Sequence, residues 1–333
     1  MKVFFTTDLH GSRWHYDQLQ KSILQEKPDI LLLGGDQCPT AFGEGAIAKQ
    51  QHWLKTEFRD FLEAVLPICK TIWASGNHDL VGALDVLEDL QREGLVIQSN
   101  YKWIEIGPDL FLLGFPYGPA SWGWCYKDWE RRDGRRRINL SKYSHYFTTE
   151  NGEYREIDGK KFFQIRPSLE ELLQCIESTP PKKSKLLLLA HYPPYRSGLD
   201  ESMNGPIGSR TIFQYIRKNK FDAVCCGHVH ESPYLSKEWV HRIGKTICIN
   251  PGQLGGENLN AVIFDTEDIE GSLIHTVFGK FGGSADYLLS KEELNKIIPA
   301  KPTPNMFGSK KNSKHYLSKL SFLVKRSKPN EKD

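Results

Sequence analysis

Five short apolar runs in this chain each stop at a cluster of Asp, His or Asn, and that repetition constrains the fold more than any other feature. Residues 3–7 run into Asp8-Leu9-His10, and residues 30–33 into Gly34-Gly35-Asp36. Residues 71–74 lead to Gly76-Asn77-His78-Asp79, residues 185–190 to His191, and residues 223–226 to Gly227-His228-Val229-His230. A sixth run, 111–114, has no such cluster. Apolar runs of this length read as buried strands. Helix-like stretches separate them at 17–25, 48–65, 82–92, 168–176 and 209–218, and Ser168 with Glu171 forms a capping box. Strands alternating with helices predict an α/β chain with parallel pairing and both sheet faces covered. The closing runs 246–249 and 261–264, joined by short connections, predict a mixed or antiparallel second sheet. In open α/β sheets the carboxyl ends of parallel strands gather at one edge, where ligands bind. Five segments far apart in sequence should therefore deliver polar side chains to one cavity.

The residue types in those clusters narrow the chemistry. Three to four imidazoles, two carboxylates and one amide oxygen, without thiolate, suit Mn, Fe or Zn better than Ca or Mg. In Asp8-x-His10 and His228-x-His230, alternate residues of an extended chain point to the same side, a workable pincer. The seven candidate ligands are Asp8, His10, Asp36, Asn77, His191, His228 and His230. They exceed what one four- to six-coordinate ion can take, and two ions sharing a carboxylate is the economical arrangement. Two ions about 3.5–4 Å apart can bridge a hydroxide and stabilise both the attacking and the leaving oxygen of an in-line displacement at phosphorus. Gly34-Gly35, Gly76 and Gly227 fall where a strand must turn sharply and let backbone come close.

The ordered set Asp8-x-His10, Gly35-Asp36, Gly76-Asn77-His78-Asp79, His191 and Gly227-His228-x-His230 resembles the calcineurin-like metallophosphoesterases over residues 3 to about 265. The resemblance implies a four-layer α/β/β/α sandwich of two mixed sheets flanked by helices. It implies that Asp8, His10, Asp36 and His230 hold one metal and that Asp36, Asn77, His191 and His228 hold the other, with Asp36 the bridge. His78 is then an unliganded imidazole that stabilises the transition state or protonates the leaving oxygen. The protein-phosphatase branch continues its second motif to an acid and an arginine and ends its third in Glu-Arg. Here the sequence reads Asp36-Gln37-Cys38-Pro39 and Asp79-Leu80, so neither phosphate-gripping arginine is present at those motifs. His191-Tyr192-Pro193-Pro194 and Asn250-Pro251-Gly252 look more like the small-molecule phosphodiesterase branches. The expected activity is hydrolysis of a phosphodiester or phosphomonoester. A nuclease, and a protein-binding scaffold that has lost turnover, are the alternatives; intact motifs count against the scaffold.

The rest of the chain is read by composition. With 39% hydrophobic and 26% charged residues, a sizeable core is expected. Residues 1–298 are expected to form one domain carrying an insertion or lid at about 115–165. That segment holds Arg131-Arg132-Asp133-Gly134-Arg135-Arg136-Arg137 near Trp122, Trp124, Tyr126 and Trp129. The aromatics and arginines could grip nucleic acid, but an aromatic-packed loop with a solvated basic face is the favoured reading. Asp79 is read as either orienting a neighbour or capping a helix. The remaining histidines, such as His15 and His275, are expected to have no function, and Cys225-Cys226 to be small buried strand residues. Residues 301–333 carry nine Lys or Arg against two acids, a balance of +7 that leaves the remainder at −4 within a whole-chain charge of +3. This basic tail, 299–333, is expected to be flexible. Its helically spaced apolar residues at 316, 317, 320, 323 and 324 suit an acidic partner or a membrane surface. No signal peptide or membrane-length apolar run is seen, and seven scattered cysteines suit reduced thiols, so the expectation is a soluble cytoplasmic protein.

Overall fold

Side chains along the central strands alternate in direction, and both directions are buried, so each sheet must be covered on its two faces. A computed structural model of the chain describes residues 1–282 apart from 122, 135–137, 139, 141–144, 177–179 and 255–257. The basic tail at 299–333 and its proposed helix lie outside the described residues.

The two large sheets use, in chain order, β1 (Lys2–Thr6), β2 (Ile30–Leu33), β3 (Lys70–Trp73), β4 (Ile97–Gln98), β5 (Trp103–Gly107), β6 (Leu110–Phe115), β7 (Lys185–Ala190), β8 (Ala223–Cys225), β9 (Val240–Ile243), β10 (Thr246–Ile249), β11 (Val262–Asp265), β12 (Ile274–His275) and β13 (Gly279–Lys280). The first sheet has the order β13-β12-β11-β1-β2-β3-β4 and the second β9-β10-β8-β7-β6-β5. Strands β1 to β4 run parallel, with Val3 opposite Ile30 and Ile30 opposite Lys70. Parallel pairing also joins β6, β7, β8 and β10. The closing strands do not form a sheet of their own. β10 joins the second sheet, whereas β11 crosses to pair antiparallel with β1 in the first; β9 and β5 pair antiparallel at the edges of the second, so both sheets are mixed. The edge strands β4, β5 and β9 were not predicted, because short or half-exposed strands carry no continuous apolar run.

Three apolar layers fill the space between these elements. Phe4, Leu31, Leu33 and Trp73 pack outward on the helices Arg13–Glu26, Arg59–Val65 and Leu84–Arg92. Val3, Phe5, Ile30, Leu32 and Ile72 turn the other way, onto Leu112, Leu187, Leu189, Ala223 and Ile247 of the second sheet. Leu113, Leu188, Ala190, Val224 and Cys248 then meet the helices Leu169–Gln174 and Arg210–Asn219. The result is the expected α/β/β/α sandwich. The predicted capping box is present, Ser168 accepting from Glu171 N and Glu171 from Ser168 N. The predicted helix at 48–65 is interrupted by a π-turn, Leu54–Phe58, between Ala46–Trp53 and Arg59–Val65. Cys225 and Cys226 are buried at the end of β8, and all seven cysteines are free. Among the described residues no helix is long and apolar enough to cross a membrane.

Leu189 lies in the layer between the sheets and is fully buried. Leu189→Ala should cost about 2–5 kcal/mol of stability, read as a lower urea midpoint with an unchanged slope. A cost below about 1 kcal/mol would show that the two sheets do not pack there as described.

Candidate metal centre

The strand ends that carry the sequence clusters meet at one edge of the sandwich. The chain does not leave those strands in relaxed conformations. Asp8 (φ 60°), His10 (φ 49°), Asp36 (φ 53°) and His228 (φ 67°) all adopt left-handed backbone. Such residues cost roughly 1–2 kcal/mol each outside glycine, and they persist where surrounding bonds over-determine them. Those bonds are present: Asp8 N donates to Gly35 O (3.0 Å), His10 N to Asp36 O (2.8 Å) and His228 N to both Asp8 carboxylate oxygens (3.0 and 3.2 Å). Gly76 is required by close approach. A Cβ there would stand 2.3 Å from Asp36 Oδ1 and 2.7 Å from the His191 ring.

All seven predicted ligands are brought together. Asp8, His10, Asp36 and His230 offer ligand atoms within 4.8 Å of one another, and so do Asp36, His191 and His228. Asp36 alone belongs to both groups. Its Oδ2 lies 3.9 Å from His10 Nε2 and 3.4 Å from His191 Nε2, while Oδ1 accepts from His78 N at 2.6 Å. Asn77 Oδ1 sits 3.1 Å from His191 Nε2 and 2.8 Å from His228 Nδ1. On the other side, His230 Nε2 approaches Asp8 Oδ1 (3.2 Å) and His10 Nε2 (3.3 Å).

This donor set fits cations. His191 Nδ1 lies 2.9 Å from Gly34 O, a carbonyl that can only accept, so that nitrogen carries a proton. In a neutral ring Nε2 is then a bare lone pair, and it faces Asn77 Oδ1 and Asp36 Oδ2. Lone pairs that converge in this way suit a positive charge. Without a metal, a proton plays that part. Burial opposes charge on His191, yet Asp36 beside it holds its pKa up, to about 9. Burial likewise works to raise Asp8, but His230 and then His191 hold it down at about 2. Asp36 is held well below the usual carboxylate range, against burial, chiefly by His191 and His78.

His78 stands beside the two groups rather than in either. Trp124 stacks on its ring at 3.6 Å between centroids and 23° between planes, and Trp124 Nε1 donates to Asn77 O at 2.8 Å. Thr40 Oγ1 lies 3.1 Å from His78 Nδ1. Thr40 had no signal in the sequence, since a lone Thr four residues after Asp36 belongs to no motif. Trp124 was read only as a packing or base-stacking residue. Asp79 caps no helix: its carboxylate accepts from Cys38 N (2.8 Å) and Gly76 N (2.9 Å), cross-linking two strand-end loops. His275 is a buried structural residue, bonded to Pro251 O.

The described part of 115–165 packs against the loop that follows β3. Trp129 Nε1 donates to Asp79 O, and Gly82 N donates to Thr149 Oγ1. Its aromatics point inward, and Tyr126 and Trp129 are buried. Arg131 is buried over the Tyr117 ring, and Arg132 donates to Phe163 O and Arg166 O. Trp122 and Arg135 to Arg137 lie outside the described residues.

Residues 1–232 match the family described as calcineurin-like phosphoesterase. No curated protein is similar to the chain in sequence. One crystal structure, 14% identical, covers 83% of this chain and 98% of its own with a TM-score of 0.56, which supports the fold. The protein TT1561 of Thermus thermophilus is 14% identical over 82% of this chain and 97% of its own, with a TM-score of 0.49. An archaeal phosphodiesterase is 14% identical over 83% and 99%, with a TM-score of 0.37.

Because a proton on His191 competes with any cation there, metal binding should release protons and tighten as pH rises toward about 9. Calorimetric titration of the metal-free protein with Mn²⁺, in buffers of different ionisation heat, counts those protons. Affinity independent of pH, with no proton released, would contradict this electrostatic picture.

Proposed function

The chain belongs to the calcineurin-like phosphoesterase family, and on that premise we propose that it hydrolyses phosphate esters at two divalent ions, Mn, Fe or Zn. We assign Asp8, His10, Asp36 and His230 to one ion, and Asp36, Asn77, His191 and His228 to the other. The observation that carries this reading is the position of Asp36, the one residue shared by both ligand groups. Bound there, the ions would lower the pKa of a water molecule and stabilise charge gathering on phosphate oxygens.

The chain's own groups supply the rest. Asp36 Oδ1 is occupied by the His78 amide, which leaves Oδ2 for the cations and ties the His78 loop to the centre. Burial pushes the His78 pKa down to about 3, so its imidazole is neutral at pH 7 and serves as an N–H donor toward the phosphate or the departing oxygen. The segment 115–165 we read as an insertion that walls this side of the site. No arginine follows Asp36 or Asp79 at the positions a protein phosphatase uses, so the substrate class we favour is a small phosphodiester or phosphomonoester. Arg131 and Arg132 are spent on internal contacts, which weighs against a nuclease grip. With both ligand groups complete, a scaffold without turnover is disfavoured. We assign the protein to the cytoplasm, where unpaired thiols are kept reduced.

His78 separates catalysis from metal binding. His78→Gln should keep both ions and the fold while turnover drops roughly 10²–10⁴-fold, more for alkyl esters than for nitrophenyl esters. Elemental analysis and kinetics on both ester types check this. Loss of a metal in the variant would make His78 a ligand; parental rates on alkyl esters would remove it from the chemistry.

A further inference from the structure

His78 has one ring nitrogen engaged and one free. Its Nδ1 meets Thr40 Oγ1 at 3.1 Å, and the same hydroxyl lies 3.3 Å from His10 Nδ1. Among the described residues nothing bonds His78 Nε2. A hydroxyl has a single proton to give and can accept on its lone pairs. Thr40 therefore cannot donate to both rings; it donates to one and accepts from the other, or accepts from both.

The direction is decided at His10. Its Nε2 is the nitrogen turned toward Asp36 Oδ2 and His230 Nε2. An imidazole nitrogen that holds a metal is bare, so the proton of the ring sits on the other nitrogen. His10 Nδ1–H then donates to Thr40 Oγ1. Among the described residues His78 Nδ1 is the one acceptor left for the Thr40 proton, and a proton directed there leaves Nδ1 as the bare nitrogen. The proton of the neutral His78 ring is thereby placed on Nε2, the nitrogen left for substrate. Trp124, stacked face to face on the same ring, fixes its plane.

Trp124 is itself held. The buried Lys127 ammonium donates to Trp124 O, to Ser121 O (2.7 Å) and to Glu130 Oε2 (2.8 Å), so its three protons meet three acceptors. With the plane fixed by packing and one nitrogen fixed by Thr40, neither ring flip nor tautomer exchange is free.

We propose that Thr40 is a positioning residue: its hydroxyl passes the ligand state of His10 to His78 and fixes His78 as the Nε2–H donor, while Trp124 fixes the ring plane. This rests on reading His10 as a metal ligand and His78 as the donor to the ester. It assigns a function to a residue outside both ligand groups.

The test combines ¹⁵N-imidazole NMR of the diamagnetic Zn²⁺-loaded protein with metal analysis and turnover of an alkyl phosphate ester. The parent should show His78 protonated on Nε2. Thr40→Val should retain both metals, give a mixed tautomer pattern at His78, and lower kcat at least about tenfold with KM unchanged, part of what a positioned donor contributes. Thr40→Ser should restore both signals, and Thr40→Ala serves if the valine variant does not fold. In a His78→Gln background, Thr40→Val should have no further effect, because the two residues act as a unit. A parent His78 protonated on Nδ1, an unchanged kcat in Thr40→Val, or an equal loss in both backgrounds would overturn the inference. Full turnover by His78→Gln alone would instead overturn the reading of His78 on which it rests.

Discussion

The Asp36 carboxylate is the constraint on which the rest of the site depends. It is 1% exposed, stands on left-handed backbone, and faces imidazoles on two sides. A buried anion is tolerated only with compensating charge and hydrogen bonds. Those partners come from separate strand ends: His10 after β1, the His78 amide after β3, and His191 after β7 all converge on it from its own position after β2. The four-layer sandwich is the scaffold that makes this convergence possible. Parallel strands in each sheet deliver their carboxyl ends to one edge, and the apolar layer between the sheets holds the two sets of ends against each other.

In the segment packed against the loop after β3, the Lys127–Glu130 pair is likewise fully partnered. Lys127 and Glu130 are buried, which would destabilise the loop if either lost a partner. Glu130 also accepts from Ser121 N and Oγ, so the turn from Ser121 to Glu130 closes on itself. That closed turn presents Trp124 to His78. The packing of 115–165 is thus connected, through one aromatic stack, to the imidazole nearest the proposed chemistry.

Much of this is legible in the sequence itself. The clustered residues are readable because metal chemistry needs particular residue types, and because a strand end is marked by an apolar run that stops. The central strands were readable for the same reason: residues 30–33 and 185–190 are buried on both faces and leave a continuous apolar signal. What failed to show was whatever depends on tertiary approach. Edge strands such as Trp103–Gly107 are half exposed and lose the pattern. β11 crosses to the first sheet because it pairs with β1, a choice that local sequence does not encode. Asp79 looked like a cap candidate, yet its oxygens serve backbone amides 41 and 3 residues away. Thr40 and Trp124 belong to no motif; only proximity to His78 identifies them.

The central claim is that one buried carboxylate serves two cations at once. Metal content of the purified protein and of Asp36→Ala, measured after saturation with Mn²⁺ and removal of excess ion, tests it most directly. Two ions per chain in the parent, with both lost or greatly weakened in the variant, is the result this account predicts. Two ions still bound after Asp36→Ala would contradict it.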